Sequence, residues 1–125
     1  MGRRGGLHHP DAARRLSAVA VDAVFAALAD PRRRRAVELL GRRPYSAGEL
    51  ADTLGLAPPA MSRHLKALKD GGLVEDHYLP FDARVRIYRL KDGATDALKG
   101  WLAETESLWS EQLAAFKAHV ERGAP

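Results

Sequence analysis

Between residues 46 and 72 the apolar positions fall at helical intervals in two short runs divided by a glycine. Ser46 and Glu49 have the spacing of a capping box, in which a hydroxyl and a carboxylate satisfy free N–H groups at a helix start. Leu50 and Leu54 then share one face, four residues apart, and Gly55 supplies the left-handed position that ends the run. Leu56 fits the corner. Pro58 and Pro59 suit the first turn of a second helix, where a missing N–H costs little, and Met61, Leu65 and Leu68 carry its apolar stripe. Its opposite face holds Ser62, Arg63, His64, Lys66 and Lys69, and Gly71 and Gly72 stop it. Two helices joined by a tight turn, the second polar and basic, predict a helix-turn-helix over residues 46–72.

The flanks extend the pattern. Asp30 before Pro31 is an N-cap followed by proline at the first helical position, so a further helix begins there, with Ala36, Val37, Leu39 and Leu40 on its buried side and Gly41 at its close. Upstream, from Asp11, the positions of Leu16, Val19, Ala20, Ala23, Phe25 and Leu28 fit one or two helices. Pro44 and Tyr45 form a brief extended link. Residues 73–91 contain two runs rich in β-branched and aromatic residues, LVEDHYLP and ARVRIYRL, around PFDA, which predict a β-hairpin with His77 as a partly buried strand residue.

Residues 94–121 predict a long last helix. Leu98, Leu102, Thr105, Trp109, Gln112, Phe116 and Val120 recur at three- and four-residue steps, and Trp101, Leu108 and Leu113 widen the stripe. One small domain cannot cover so broad a face, so a partner is expected. Residues 1–10, MGRRGGLHHP, show no periodicity and read as a flexible arm before a single domain over 11–125. Adjacent side chains point apart, so His8 and His9 make a poor metal site.

Charge sharpens the picture. The net +4 divides into +1 over residues 1–30, +6 over 31–91 and −3 over 92–125. A basic middle favours docking on a polyanion while the last helix faces elsewhere. Basic side chains on one helix face beside a hydroxyl are what phosphate anchoring and base contact in a major groove require. The absence of cysteine excludes disulfides and thiolate metal sites. No run approaches the roughly 20 apolar residues of a membrane span, and a cytoplasmic location is expected. No nucleophile–base arrangement, phosphate loop or paired carboxylates with motif context occurs, so an enzyme is not expected.

From Val24 to Leu90 the chain resembles the ArsR/SmtB family of bacterial winged-helix transcription factors, through the phrases FAALADPRRRRAVELL, GELADTLGL, MSRHLKALKDGGLV and VRIYRL in that order. The resemblance implies a mainly α fold with a small β-wing over 73–91, dimerising through its first and last helices, with the extended link pairing to the wing. It implies a repressor that binds double-stranded DNA as a homodimer. From this chain's own residues no cofactor and no membrane partner are expected. The effector, if any, is unspecified. The DNA-binding candidates are Pro59, Ser62, Arg63, His64, Lys66 and Lys69 on the second motif helix, with Arg84 and Arg86 on the wing. Arg63 is the leading reader of guanine, and Lys66, Lys69, Arg84 and Arg86 position the backbone. The dimer candidates are Leu16, Val19, Phe25, Leu98, Trp101, Leu102, Leu108, Trp109, Leu113, Phe116 and Val120.

The run Arg32–Arg35 looks like a DNA patch, although the family's comparable stretch mostly faces solvent or packs within the dimer. The family's thiolate pair is replaced here by Ala47–Ala51. Its carboxylate–His site on the last helix has Glu104, Glu106, Glu111, His119 and Glu121 available, but not at the family's spacing. The rival readings are a sequence-indifferent architectural DNA binder, a metal-responsive repressor using those ligands, and a winged helix used for protein association alone.

Overall fold

The Ser46 hydroxyl accepts from the Glu49 N–H at 3.1 Å while the Glu49 carboxylate accepts from the Ser46 N–H at 2.8 Å, so the capping box forms and starts a helix. This is a computed structural model that describes the backbone of residues 10–123 and the side chains of residues 18–123. In chain order the elements are α1 (Pro10–Ala27), α2 (Pro31–Leu40), β1 (Tyr45–Ser46), α3 (Ala47–Leu54), α4 (Pro58–Asp70), β2 (Val74–Leu79), β3 (Asp82–Leu90) and α5 (Asp96–Glu121).

The helix boundaries follow local chemistry. Asp30 caps α2 through the Arg32 N–H at 2.7 Å, with Pro31 at the first position. Gly55 ends α3 at φ 68, a conformation that a side chain would strain. Among the described residues one helix precedes Asp30, and it begins at Pro10, inside the segment expected as an arm; residues 1–9, including His8 and His9, lie outside the described residues, as does the side chain of Leu16. The last helix starts at Asp96 rather than 94, because Ala94 and Asp96 donate to Lys91 O and Gly93 O in tight turns about Gly93 at φ 72.

The strands form one antiparallel sheet in the order β1-β3-β2. Tyr45 pairs with Tyr88 and Ser46 with Ile87, so the short link at Tyr45 is the third strand of the wing. The hairpin turn is the two residues Pro80 and Phe81, with Asp82 and Ala83 already in β3. The register jumps from Tyr78↔Arg86 to Leu79↔Asp82, so Ala83, Arg84 and Val85 bulge from β3. His77 is exposed on this projecting ribbon, not partly buried, because so far from the core both faces of β2 meet water.

The core lies where α1–α4 meet the base of the wing. Leu50, Met61, Leu65, Leu68, Leu73 and Val74 are fully buried, ringed by Val24, Ala36, Leu40 and Tyr88. α1 crosses the end of α4 so closely that a Cβ on Gly71 would lie 2.7 Å from Ala27 Cβ. This is a mainly α winged helix-turn-helix fold. Among the described residues no helix is long and apolar enough to cross a membrane.

Candidate nucleic-acid interface

Helix α4 is held by its apolar stripe, and that fixes what it shows to solvent. Met61, Leu65 and Leu68 are buried against the core, so Pro59, Ser62, Arg63, Lys66 and Lys69 stand exposed on the other side. His64 departs from the sequence expectation of an open, polar face. It sits three residues after Met61, beside the buried stripe, and is half-buried with Nδ1 shielded and no hydrogen-bond partner among the described residues. Burial pushes its pKa down; nearby Asp30 opposes this, and Arg32, Arg33 and Arg63 reinforce it. Burial thus favours the neutral form of the ring.

The cations expected to position the backbone divide into groups. Lys69 Nζ lies 2.8 Å from Asp76 Oδ1, and Arg86 Nε lies 3.1 Å from Asp76 Oδ2. One carboxylate therefore joins the recognition helix to both long strands of the wing. Asp76 is pulled below the usual carboxylate range, chiefly by its hydrogen bond from Lys69 and then by the charges of Lys69 and Arg86, against the cost of burial. Lys69 is raised by the same contact. Arg86 also donates to the Tyr78 hydroxyl and lies over the Tyr78 ring at 4.9 Å, and its pKa is raised chiefly by that hydroxyl and by Tyr88. Lys66 pairs with Asp70 at 2.8 Å across one exposed turn, a contact weak enough to yield to a phosphate.

Arg63 and Arg84 present more open guanidinium groups. Arg63 makes no ion pair among the described residues. Arg84 is 91% exposed on the β3 bulge, where its backbone N–H and Nε both donate to Asp82 Oδ1 at 3.1 and 3.2 Å.

The Arg32–Arg35 run has a different occupation. Arg33 Nε donates to Ala27 O at 2.7 Å, Arg33 Nη2 to Ala26 O at 3.3 Å and Arg34 Nη1 to Leu28 O at 2.7 Å. Ala26 and Ala27 end α1 and Leu28 follows it, where helix geometry leaves acceptors in want of donors and the dipole favours cations. Arg32 meets Asp30 at 2.9 Å, which holds that carboxyl well below its ordinary range. Three of the four arginines thus secure the α1–α2 corner.

The expected dimer candidates stand largely outside the core. Val19, Leu102, Leu108, Trp109, Leu113, Phe116 and Val120 are all at least half exposed, and the C-terminal half of α5 buries none of its residues. Phe25 and Trp101 meet edge to face with centroids 5.1 Å apart, which couples α1 to the first half of α5 while both remain about two-fifths exposed. Leu98 differs: it packs against the core of its own chain, because it lies at the first turn of α5 where the helix still touches the domain. Among the described residues no three His, Asp or Glu side chains converge as a metal site.

Sequence reasoning passed over Asp76, the residue that organises the cations of this surface. Its only sequence signal is an acid inside a basic segment, beside Glu75.

Residues 30–76 match the model of a family described as bacterial regulatory proteins of the arsR family. The chain is 38% identical over 100 residues to the HTH-type transcriptional regulator Rv2034 of Mycobacterium tuberculosis, spanning 80% of this chain and 88% of that one. It is 37% identical over 54 residues to the transcriptional repressor SdpR of Bacillus subtilis, across 43% of this chain and 60% of that one. Among solved structures, a homodimeric winged helix-turn-helix DNA-binding domain from Mycobacterium bovis superposes with a TM-score of 0.59 at 28% identity, over 85% of this chain and 94% of that one.

Proposed function

The chain belongs to the arsR family of bacterial regulatory proteins, and from that premise we propose that it is a homodimeric repressor that occludes a promoter by binding a pseudo-palindromic operator. It is a transcriptional regulator and no enzyme, as its relatives are. The observation that carries the finer reading is the division of labour on α4. The helix is clamped on one side by Met61, Leu65 and Leu68 and tied to the wing by Asp76, while Pro59, Ser62 and Arg63 stand open.

A rigid helix with an open, unpaired guanidinium suits a major groove, where arginine bonds guanine O6 and N7 with both arms. Lys66 and Arg84 contact phosphates beside it, the first by exchanging Asp70 for a phosphate. Two such helices act together when the apolar faces of α1 and α5 close on a second copy. Each large side chain fully buried there contributes roughly 1.5 to 3 kcal/mol. The homodimeric state of the Mycobacterium bovis domain supports that assembly, and the repressor from Bacillus subtilis supports the direction of control. The two α4 helices then lie about one turn of DNA apart, and polymerase is excluded by occupancy.

The test compares Arg63→Ala with the unaltered protein on the DNA upstream of its own gene and on a scrambled duplex of equal length. A loss of about 1 to 3 kcal/mol on the first, confined to one base position of each half-site, is expected. Equal losses on both duplexes would overturn the readout role of Arg63, and equal binding of both by the unaltered protein would leave only a sequence-indifferent binder.

A further inference from the structure

We propose that Phe81 is a minor-groove wedge, inserted from the wing tip at a pyrimidine–purine step beside each half-site. The inference rests on the DNA-binding reading above and goes beyond it, since it assigns to the wing a residue that carries no charge.

At 85% exposure, Phe81 is the most exposed of the large apolar side chains in the described residues. It lies outside the dimer stripe of α1 and α5, at the two-residue turn where β2 passes into β3. Pro80 precedes it and fixes one backbone angle of the turn, so less freedom is lost when the ring is held in one place. Arg84 flanks it on the bulge, anchored to Asp82 and almost wholly exposed. The tip thus shows an apolar ring beside a guanidinium, with Arg86 further down the same strand.

That pairing fits a groove walled by phosphates and floored by stacked bases. Proteins that enter the minor groove set cations against its walls and push phenylalanine or similar side chains between base pairs. Pyrimidine–purine steps unstack most readily, so the wedge selects them without a hydrogen bond to any base. The Asp76 contacts tie the hairpin that carries the tip to α4, so the ring and the recognition helix approach the same DNA together.

The experiment uses the full chain and duplexes carrying the nuclease-protected sequence upstream of its own gene, each with 2-aminopurine at one pyrimidine–purine step. A second duplex of repeated TpA steps in unrelated sequence is run beside it. The unaltered protein is expected to raise fluorescence several-fold at one step outside each half-site. Phe81→Ala should abolish that rise and weaken binding about ten-fold, with the slope of log affinity against log salt unchanged. Phe81→Leu should restore part of both, and Arg84→Ala should lower the salt slope by about one.

Binding of the protected duplex without any fluorescence change, or equal affinity of Phe81→Ala, overturns the wedge and leaves the operator reading intact. A reduced salt slope in Phe81→Ala also overturns it, because the residue would then merely be holding the wing's cations. Failure to bind either duplex removes the operator reading, and the wedge with it.

Discussion

Lys69 on α4 and Asp76 on β2 meet at 2.8 Å, and the acid is only 11% exposed while the lysine is about half exposed. Recognition helix and wing are therefore linked, and Lys69 is already paired before any polyanion arrives. Lys69→Ala should accordingly change the salt slope of DNA binding by well under one, whereas Arg84→Ala lowers it by about one. Equal slopes for the two variants would mean that Lys69 leaves Asp76 on binding.

Asp76→Asn tests the same tie through stability. The folded carboxyl titrates below its usual value, so its contribution is present above about pH 4 and disappears as the pH falls below that value. At pH 7 the variant should be less stable by about 1.5 to 3 kcal/mol in urea unfolding, as for loss of a charged hydrogen bond, and the difference from the unaltered protein should shrink as the pH falls below about 4. It should also bind operator more weakly despite shedding a negative charge. Tighter binding would show that Asp76 merely screens the cations.

Arg33 makes the opposite prediction from the one its position in a run of four arginines suggests. Its bonds to Ala26 O and Ala27 O close the end of α1. Arg33→Ala should cost about 1.5 to 3 kcal/mol of stability, the range for hydrogen bonds to charged groups, with no change in the salt slope of binding. A variant of normal stability and reduced slope would return Arg33 to the DNA surface.

Trp109 and Leu113 are 68% and 64% exposed, so charges there do not disturb the fold of a single chain. Trp109→Glu with Leu113→Glu should leave the helical circular dichroism largely intact while sedimentation shows a single chain at micromolar concentration. Operator binding should drop to that of an isolated half-site. A persistent dimer would place the interface elsewhere.

His64 supplies a pH dependence near neutrality. Burial favours its neutral form, so the unfolded chain takes up the proton first as the pH falls below about 6.5. Stability should therefore be complete above that pH and decline below it, until the folded ring is protonated too. His64→Gln should flatten the profile between pH 7.5 and 5.5 in urea titrations, and an unchanged profile would assign the dependence to another group.

The helix-turn-helix was legible in the sequence because its determinants are local. Ser46 and Glu49 satisfy each other within one turn, Gly55 adopts its left-handed angle where α3 ends, and Met61, Leu65 and Leu68 share a face by helical geometry alone. The unpartnered stripe on α5 was legible for the same reason. What the sequence could not fix was which cations remain available. Arg33 found the carbonyls of Ala26 and Ala27, Lys69 and Arg86 found Asp76, and His64 was half-buried with Nδ1 shielded. Those partners come together only when the chain turns the corner from α1 into α2 and the wing folds beside α4. A side chain's spacing settles the face it occupies, but its charge is spent on whatever group the packed chain brings within 3 or 4 Å.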